Sequence, residues 1–364
     1  MIIALGLSSA FASVLPLWSR ARSLLRSSVV ALIPLTVLGW FTVVYALQAN
    51  PGTPDKWIYV RELRAIGAGT LSQAFSARLT TSGEPAYVIF FWVLSRLGIE
   101  STGLFGVVGL VSVVAVVLGA RLLLPTWRLP LVLFVSVSLG FMPSFASVVV
   151  RQGMAMSFMF IAICLILRGH RWAWAPFLAV ATLFHHSVLP LTILLALLAL
   201  IRLPLRVALV VWGLAAALFL TGLQTRVLGP IATAMPEIAE YTDPSVVAHY
   251  TGGVNRLDFL LLSAILLATG LFFRRLSTTP AWYTRLVTLF ACLNVYFLLF
   301  GFIAYSDRLG AYSWLLAPLL LAAPLARSQS ARSRVATVGV VAFVVVAGFR
   351  FGHYTDMLAL AAAH

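Results

Sequence analysis

Lysine is almost missing from this chain: Lys56 is the only one among 25 basic residues. Acids are scarcer than bases, ten in 364 residues, and charged residues of all kinds make up 10% of the sequence. A soluble domain carries about 25%. No water-soluble fold could hide the hydrophobic remainder, which is 62% of the chain. Cysteine is limited to Cys164 and Cys292, both inside apolar runs, which argues against a structural disulfide. There is no Cys/His cluster, no glycine-rich phosphate loop and no glycosylation sequon. No metal and no cofactor are therefore expected.

What is present is a succession of long apolar runs, such as Gly103 to Ala120 and Val335 to Gly348. In lipid the backbone must satisfy its own hydrogen bonds, which leaves helices or a closed barrel. A barrel would read as short alternating strands. These runs are continuous, so the expected fold is an all-α polytopic integral membrane protein.

The net charge of +15 invites a nucleic-acid reading, but its distribution opposes one. The arginines fall in short clusters between apolar runs, as in the positive-inside pattern of membrane loops. Arg20/Arg22/Arg26, Arg121/Arg128, Arg168/Arg171, Arg202/Arg206, Arg274/Arg275/Arg285 and Arg327/Arg332/Arg334 mark the cytoplasmic side. The chain must leave and return between successive clusters. The predicted crossings are 1–18, 28–49, 103–120, 129–147, 152–167, 172–186, 188–201, 207–222, 257–273, 286–305, 309–325 and 335–351, about twelve with both termini outside. Met1 to Trp18 lacks a charged n-region and reads as a membrane helix, with signal cleavage near Ala12 as the alternative. Pro85 to Gly98, about 14 residues, is too short to span and is expected to be re-entrant or interfacial. Two short helices are expected to meet at His185-His186-Ser187, with Pro176 and Pro190 allowing the breaks. One transmembrane domain, 1–364, is expected, with outer loops 50–83 and 224–256 that hold short amphipathic helices.

This threading gathers the unusual polar residues at the outer face: Asp55, Glu84, Arg151, His185, His186, Asp307 and Arg308. Ionisable groups at membrane helices are costly and by default suggest function. Each also has a plainer explanation. Arg151 can snorkel to headgroups, Glu84 before Pro85 can cap a helix, and Asp307-Arg308 can be a local ion pair at a helix start. Tyr241 and Tyr250 read as aromatic belt. Arginines with few matching acids suit phosphate or diphosphate, which guanidinium binds in a fork. A nearby carboxylate or imidazole supplies a general base. Together these fit group transfer from a lipid-linked phosphate donor without a metal.

Several motifs resemble those of one family. Arg151-Gln152 opens a helix, Arg168 to Arg171 forms a basic loop, and Phe184-His185-His186-Ser187 ends the next helix. Gly52-Thr53-Pro54-Asp55 with Tyr59, Glu84-Pro85-x-Tyr87, and Arg308 with Tyr312 follow the same order along the chain. This ordered set resembles the EpsG-like bacterial exopolysaccharide polymerases, relatives of the Wzy, O-antigen-type polymerases, and its layout is similar to the GT-C glycosyltransferase fold. A Pro stands before Asp55, and Val188 follows Ser187 where alanine is usual, so the sequence departs from the pattern at both points.

The resemblance implies a polymerase in the bacterial inner membrane with its active site facing the periplasm or cell exterior. It would move a glycan from undecaprenyl diphosphate onto the non-reducing end of another lipid-linked repeat, in a bilayer shared with a flippase and a chain-length regulator. Arg151 and Arg308 would hold the diphosphate. His185, Asp55 or Glu84 would take the acceptor proton, with Gln152, His186, Tyr59, Asp307 and Tyr312 as further substrate contacts. A GT-C transferase using a polyprenyl-monophosphate sugar shares this layout, and a glycan ligase would also fit. A transporter should show repeated halves with broken helices at mid-membrane, and no such repeat is visible in the sequence.

Overall fold

The computed structural model describes residues 28–47, 54–79, 84–234, 239, 241–250, 253–275, 279–324 and parts of 339–347. The expected crossing 1–18 and most of 335–351 lie outside those residues. Among the described residues every regular element is helical and none is a strand. Two compact units form, one from Met1–Thr192 with Leu325–His364 and the other from Ile193–Pro324.

The first unit is built from α1 (Ser28–Leu47), α2 (Pro54–Gly67), α3 (Leu71–Leu79), α4 (Pro85–Arg96), α5 (Ser101–Leu123), α6 (Leu129–Ser138), α7 (Phe141–Ser147), α8 (Val150–Arg168) and α9 (Ala175–Phe184). Its centre is the packing of α8 against α5 and α9, with α1 on another side of α5. Helix α5 shows the logic of an apolar element with one buried face. Leu104, Phe105, Val108, Ser112, Val116 and Ala120 are buried, while Leu110, Val114 and Leu118 recur at a spacing of four and are 43 to 56% exposed. That exposed stripe would be a liability in water and is the surface a helix presents to acyl chains. Between the two central helices, Ser157 Oγ on α8 donates to Ser112 Oγ on α5 at 3.1 Å, an interhelical bond of the kind that joins helices in lipid.

The second unit contains α10 (Leu189–Leu200) from Ile193 onward, α11 (Leu205–Thr221), α12 (Leu223–Ala234), α13 (Pro244–His249), α14 (Leu257–Arg274), α15 (Tyr283–Phe300), α16 (Asp307–Trp314) and α17 (Ala317–Ala322). Helix α15 packs on α11, α14 and α16. Asn294 stitches these helices together. Its amide donates to Ser263 Oγ and Ser313 Oγ, each at 2.9 Å, and its carbonyl accepts from Trp212 Nε1 at 2.8 Å. A buried amide in an apolar surround is tolerated only when it is satisfied in this way.

Among the described residues four helices, α5, α8, α14 and α15, are long and apolar enough to cross a membrane, and a fifth is added if α11 and α12, bent by 93°, form one broken span. Twelve full-length crossings are not seen among those residues. Segment 129–147 divides into α6 and α7 where Gly140 takes φ 78°, and 309–325 divides between α16 and α17. The re-entrant candidate α4 has 12 residues, or about 18 Å of rise, against a hydrocarbon core of about 30 Å.

The expected meeting of two short helices is present. Helix α9 ends at Phe184, His185 is extended at φ −158°, and a 3-10 turn His186–Val188 leads into α10. Pro190 lacks an N–H and its ring clashes with the carbonyl four residues back, so one helix cannot run through. The short helices expected within 50–83 are α2 and α3.

Candidate active site

In the first unit the site is assembled from helix ends. Glu84 precedes α4, kept out of the helical region by the following proline, with φ −108° and ψ 81°. It occupies the N-cap position of α4, yet its side chain makes no cap hydrogen bond. The carboxylate, 4% exposed, instead faces two other helices. Oε2 accepts from Arg151 Nη1 at 2.7 Å, and Oε1 accepts from His185 Nδ1 at 2.9 Å. The His186 backbone N–H lies 3.4 Å from the same Oε1. One buried acid thus joins the starts of α4 and α8 to the end of α9.

Local structure fixes each partner. Arg151 lies in the first turn of α8, where the helix dipole disfavours a cation. Glu84 offsets that cost. The Arg151 side chain is 37% exposed, and Glu84 is its one hydrogen-bond acceptor among the described residues. Its remaining N–H donors are of the kind that can take an anion. Phe184 anchors the histidine: it stacks on Phe158 of α8 at 5.5 Å and meets Phe90 of α4 edge-on at 5.9 Å. Burial pushes the Glu84 carboxyl up, but the His185 hydrogen bond and the Arg151 charge outweigh it and hold the group below the usual carboxylate range. An ionised carboxylate can only accept, so His185 Nδ1 must carry the proton. Nε2 of a neutral His185 is then the free acceptor.

A second layer comes from α2. Tyr87 of α4, 1% exposed, donates its hydroxyl to Glu62, and the Arg151 guanidinium lies 5.7 Å from the Tyr87 ring. Tyr59, 8% exposed, is three residues before Glu62 on the same helical face. Asp55 lies in the first turn of α2, but its side chain is outside the described residues. Gln152 is buried at 1% exposure inside α8. Glu62 was not among the sequence candidates, although its spacing from Tyr59 carried a signal for it. Tyr87 entered only as part of the Glu-Pro-x-Tyr motif.

Gly153 sets the height of this site. A Cβ there would stand 2.4 Å from the carbonyl oxygen of Phe145 on α7, a contact that only backbone movement relieves. Gly153→Ala is therefore expected to displace the first turn of α8, and Arg151 with it. Activity should fall at least tenfold at matched membrane protein level, by the cost of misplacing a binding group by about 1 Å. Unchanged activity would show that α7 yields freely.

The remaining candidates lie in the second unit. Asp307 Oδ1 accepts from the Tyr250 hydroxyl at 2.7 Å, and the Arg308 guanidinium sits 4.5 Å from the Tyr305 ring. Tyr312 is buried at 1% exposure within α16. Arg256 forks onto Asp258 through Nε at 3.1 Å and Nη2 at 2.6 Å. Tyr250, expected to be an aromatic belt residue, thus spends its hydroxyl on a carboxylate. Tyr305 and Arg256 carried no signal in the sequence, because neither stands in a motif. No group of three or more potential metal ligands occurs among the described residues.

Comparisons with curated proteins and with solved structures found no match. A sequence model of the EpsG family matches residues 31–359, a span that contains every group in both clusters. The ordered motifs, the all-helical architecture and this match agree, and the chain belongs to the EpsG family, a Wzy-like family of exopolysaccharide polymerases.

Proposed function

We propose that this protein extends a polysaccharide by moving a glycan from a polyprenyl diphosphate onto the non-reducing end of a second lipid-linked repeat, at the outer face of the cytoplasmic membrane. The observation that carries this reading is the buried Glu84 carboxylate shared by Arg151 and His185. It supplies in one place the two things the reaction needs.

The acceptor hydroxyl attacks the anomeric carbon of the donor sugar. The bond from that carbon to the diphosphate oxygen breaks, and its electron pair leaves with the diphosphate. The hydroxyl proton passes to Nε2 of His185, which Glu84 holds in the tautomer able to receive it. The resulting imidazolium is stabilised by the same carboxylate. Charge developing on the departing diphosphate is met by the outward N–H groups of Arg151, a charge-assisted contact in a site of low dielectric. The sugar passes through an oxocarbenium-like state, as in other glycosyl chemistry. Asp55, Tyr59, Gln152 and His186 are assigned to the substrate surround by their place in the family motifs.

Donor identity tests the reading. The protein purified into lipid nanodiscs should elongate diphosphate-linked repeats, isolated from a strain in which the gene is deleted, with no metal added. Polyprenyl-monophosphate sugars should be inert. Polymer formed only from the monophosphate donor would overturn the proposal.

A further inference from the structure

Three tyrosines converge in the second unit: Tyr241, Tyr250 just after α13, and Tyr305 in the turn between α15 and α16. The ring of Tyr305 lies 4.9 Å from Tyr250 and 6.0 Å from Tyr241, the latter edge-on. Arg308 covers Tyr305 at 4.5 Å, and the Tyr250 hydroxyl is fixed on Asp307. Membrane-belt tyrosines stand singly with the ring in lipid and the hydroxyl in water. Here the rings are clustered and one hydroxyl is already committed to a carboxylate.

The backbone of Tyr305 is the second observation. Its φ is +58°, in the left-handed region, where a bulky L-residue is an outlier that the surroundings must enforce. The enforcing contacts are at hand. Ala304 N–H donates to the Tyr241 carbonyl at 2.9 Å, and Arg308 N–H donates to the Tyr305 carbonyl at 2.9 Å. In this conformation the residue is 36% exposed amid close neighbours. Ser306 beside it is fully buried, and its hydroxyl has no hydrogen-bond partner among the described residues.

We propose that this cluster is a carbohydrate subsite that takes a pyranose ring of the repeat unit against the exposed surface of Tyr305. The identity of the sugar-bearing substrate rests on the polymerase reading. An aromatic face with a carboxylate and a guanidinium at its edge matches a sugar, which presents an apolar C–H face bordered by hydroxyls. Asp307 accepts from those hydroxyls and Arg308 donates to them. A second diphosphate fits less well, because the Asp307 charge would repel it.

The probe is the repeat oligosaccharide released from its lipid by mild acid, so that no phosphate contributes. Binding to the full-length protein in nanodiscs is followed by calorimetry and by saturation-transfer NMR. Tyr305→Gly removes the ring and relieves the backbone, and should weaken binding about tenfold. Tyr305→Phe keeps the ring and should stay within about threefold of the parent. Unchanged binding by Tyr305→Gly, or equal damage from both variants, would overturn the subsite. Should Tyr305→Gly fail to fold, the parent protein still decides: magnetisation transfer from aromatic protons to sugar ring protons is expected, and its absence refutes the proposal. The two readings fail separately. Oligosaccharide binding through Tyr305 with no polymer from diphosphate-linked repeats would keep the subsite and remove the polymerase. Polymer formation with binding indifferent to Tyr305 would do the reverse.

Discussion

Glu84→Gln is expected to abolish polymer formation, by a hundredfold or more on the scale of about 10²–10⁴ that general-base catalysis supplies. The substitution keeps size and shape but removes the charge and leaves one acceptor oxygen where two donors were met. Arg151 loses the charge that holds its first-turn position. The consequence for His185 is chemical. A glutamine can turn its NH₂ toward Nδ1, which then becomes an acceptor, and the ring proton moves to Nε2. A histidine in that tautomer cannot take a proton from the acceptor. Glu84→Asp keeps the charge but is one methylene shorter. It should retain a few per cent of activity, because one oxygen pair can no longer reach both partners. The measurement is polymer made per enzyme by purified protein, beside a thermal melt in detergent. Polymer near the parent level from Glu84→Gln would remove both the pivot and the base assignment.

The same carboxylate fixes a pH dependence. Its folded-state pKa lies below the ordinary value of 4.5, so Glu84 binds fewer protons when folded than when unfolded. Its contribution to stability is fully present above 4.5 and is lost as pH falls through the lower folded value. The parent protein should therefore lose melting temperature on acidification below that range, and Glu84→Gln should lose less. The energy involved is about 1–3 kcal/mol, that of a charge-assisted hydrogen bond, reduced here because Arg151 is partly exposed to solvent.

Arg151→Lys should cost most of the activity although the charge is kept. Arginine has five N–H donors in a fixed plane, so one edge can hold Glu84 while the other meets a diphosphate. Lysine is a point charge on a flexible stem. With Glu84 within reach it will settle on that carboxylate, leaving the diphosphate without a planar fork. The expected fall in polymer formation is about 10² or more, since each lost contact to developing charge is worth roughly that factor. Membrane insertion should be normal, because the substitution adds no new charge. A raised KM for the lipid-linked donor with kcat unchanged would mean that Arg151 binds substrate without stabilising the leaving group. Near-normal polymer would reduce Arg151 to a headgroup contact.

Much of this was legible without coordinates. The apolar runs required helices, because lipid offers the backbone no other donors or acceptors. The positions of Glu84, Arg151 and His185 were legible as costly residues at the ends of apolar segments, and Pro190 explained the break beside His185. Where the other apolar runs break was not legible. Hydropathy reports how apolar a segment is, but cannot tell a helix that runs 18 residues from two that break at Gly140 or bend by 93° after Thr221. Tyr305 was also out of reach, since it acts through a backbone torsion.

The sequence by itself determined the solvent, the helical class and the list of expensive residues, because each follows from local composition against the free energy of burial in lipid. Only the tertiary structure decided what those residues do for one another. Glu84 reads in the sequence as a helix cap or as one of three candidates for the base. Its neighbours in space are 67 and 101 residues away along the chain. Packing of α4 against α9, and of α9 against α8, brings their ends to one level. There the carboxylate stays charged, because two distant donors replace the water that burial removed.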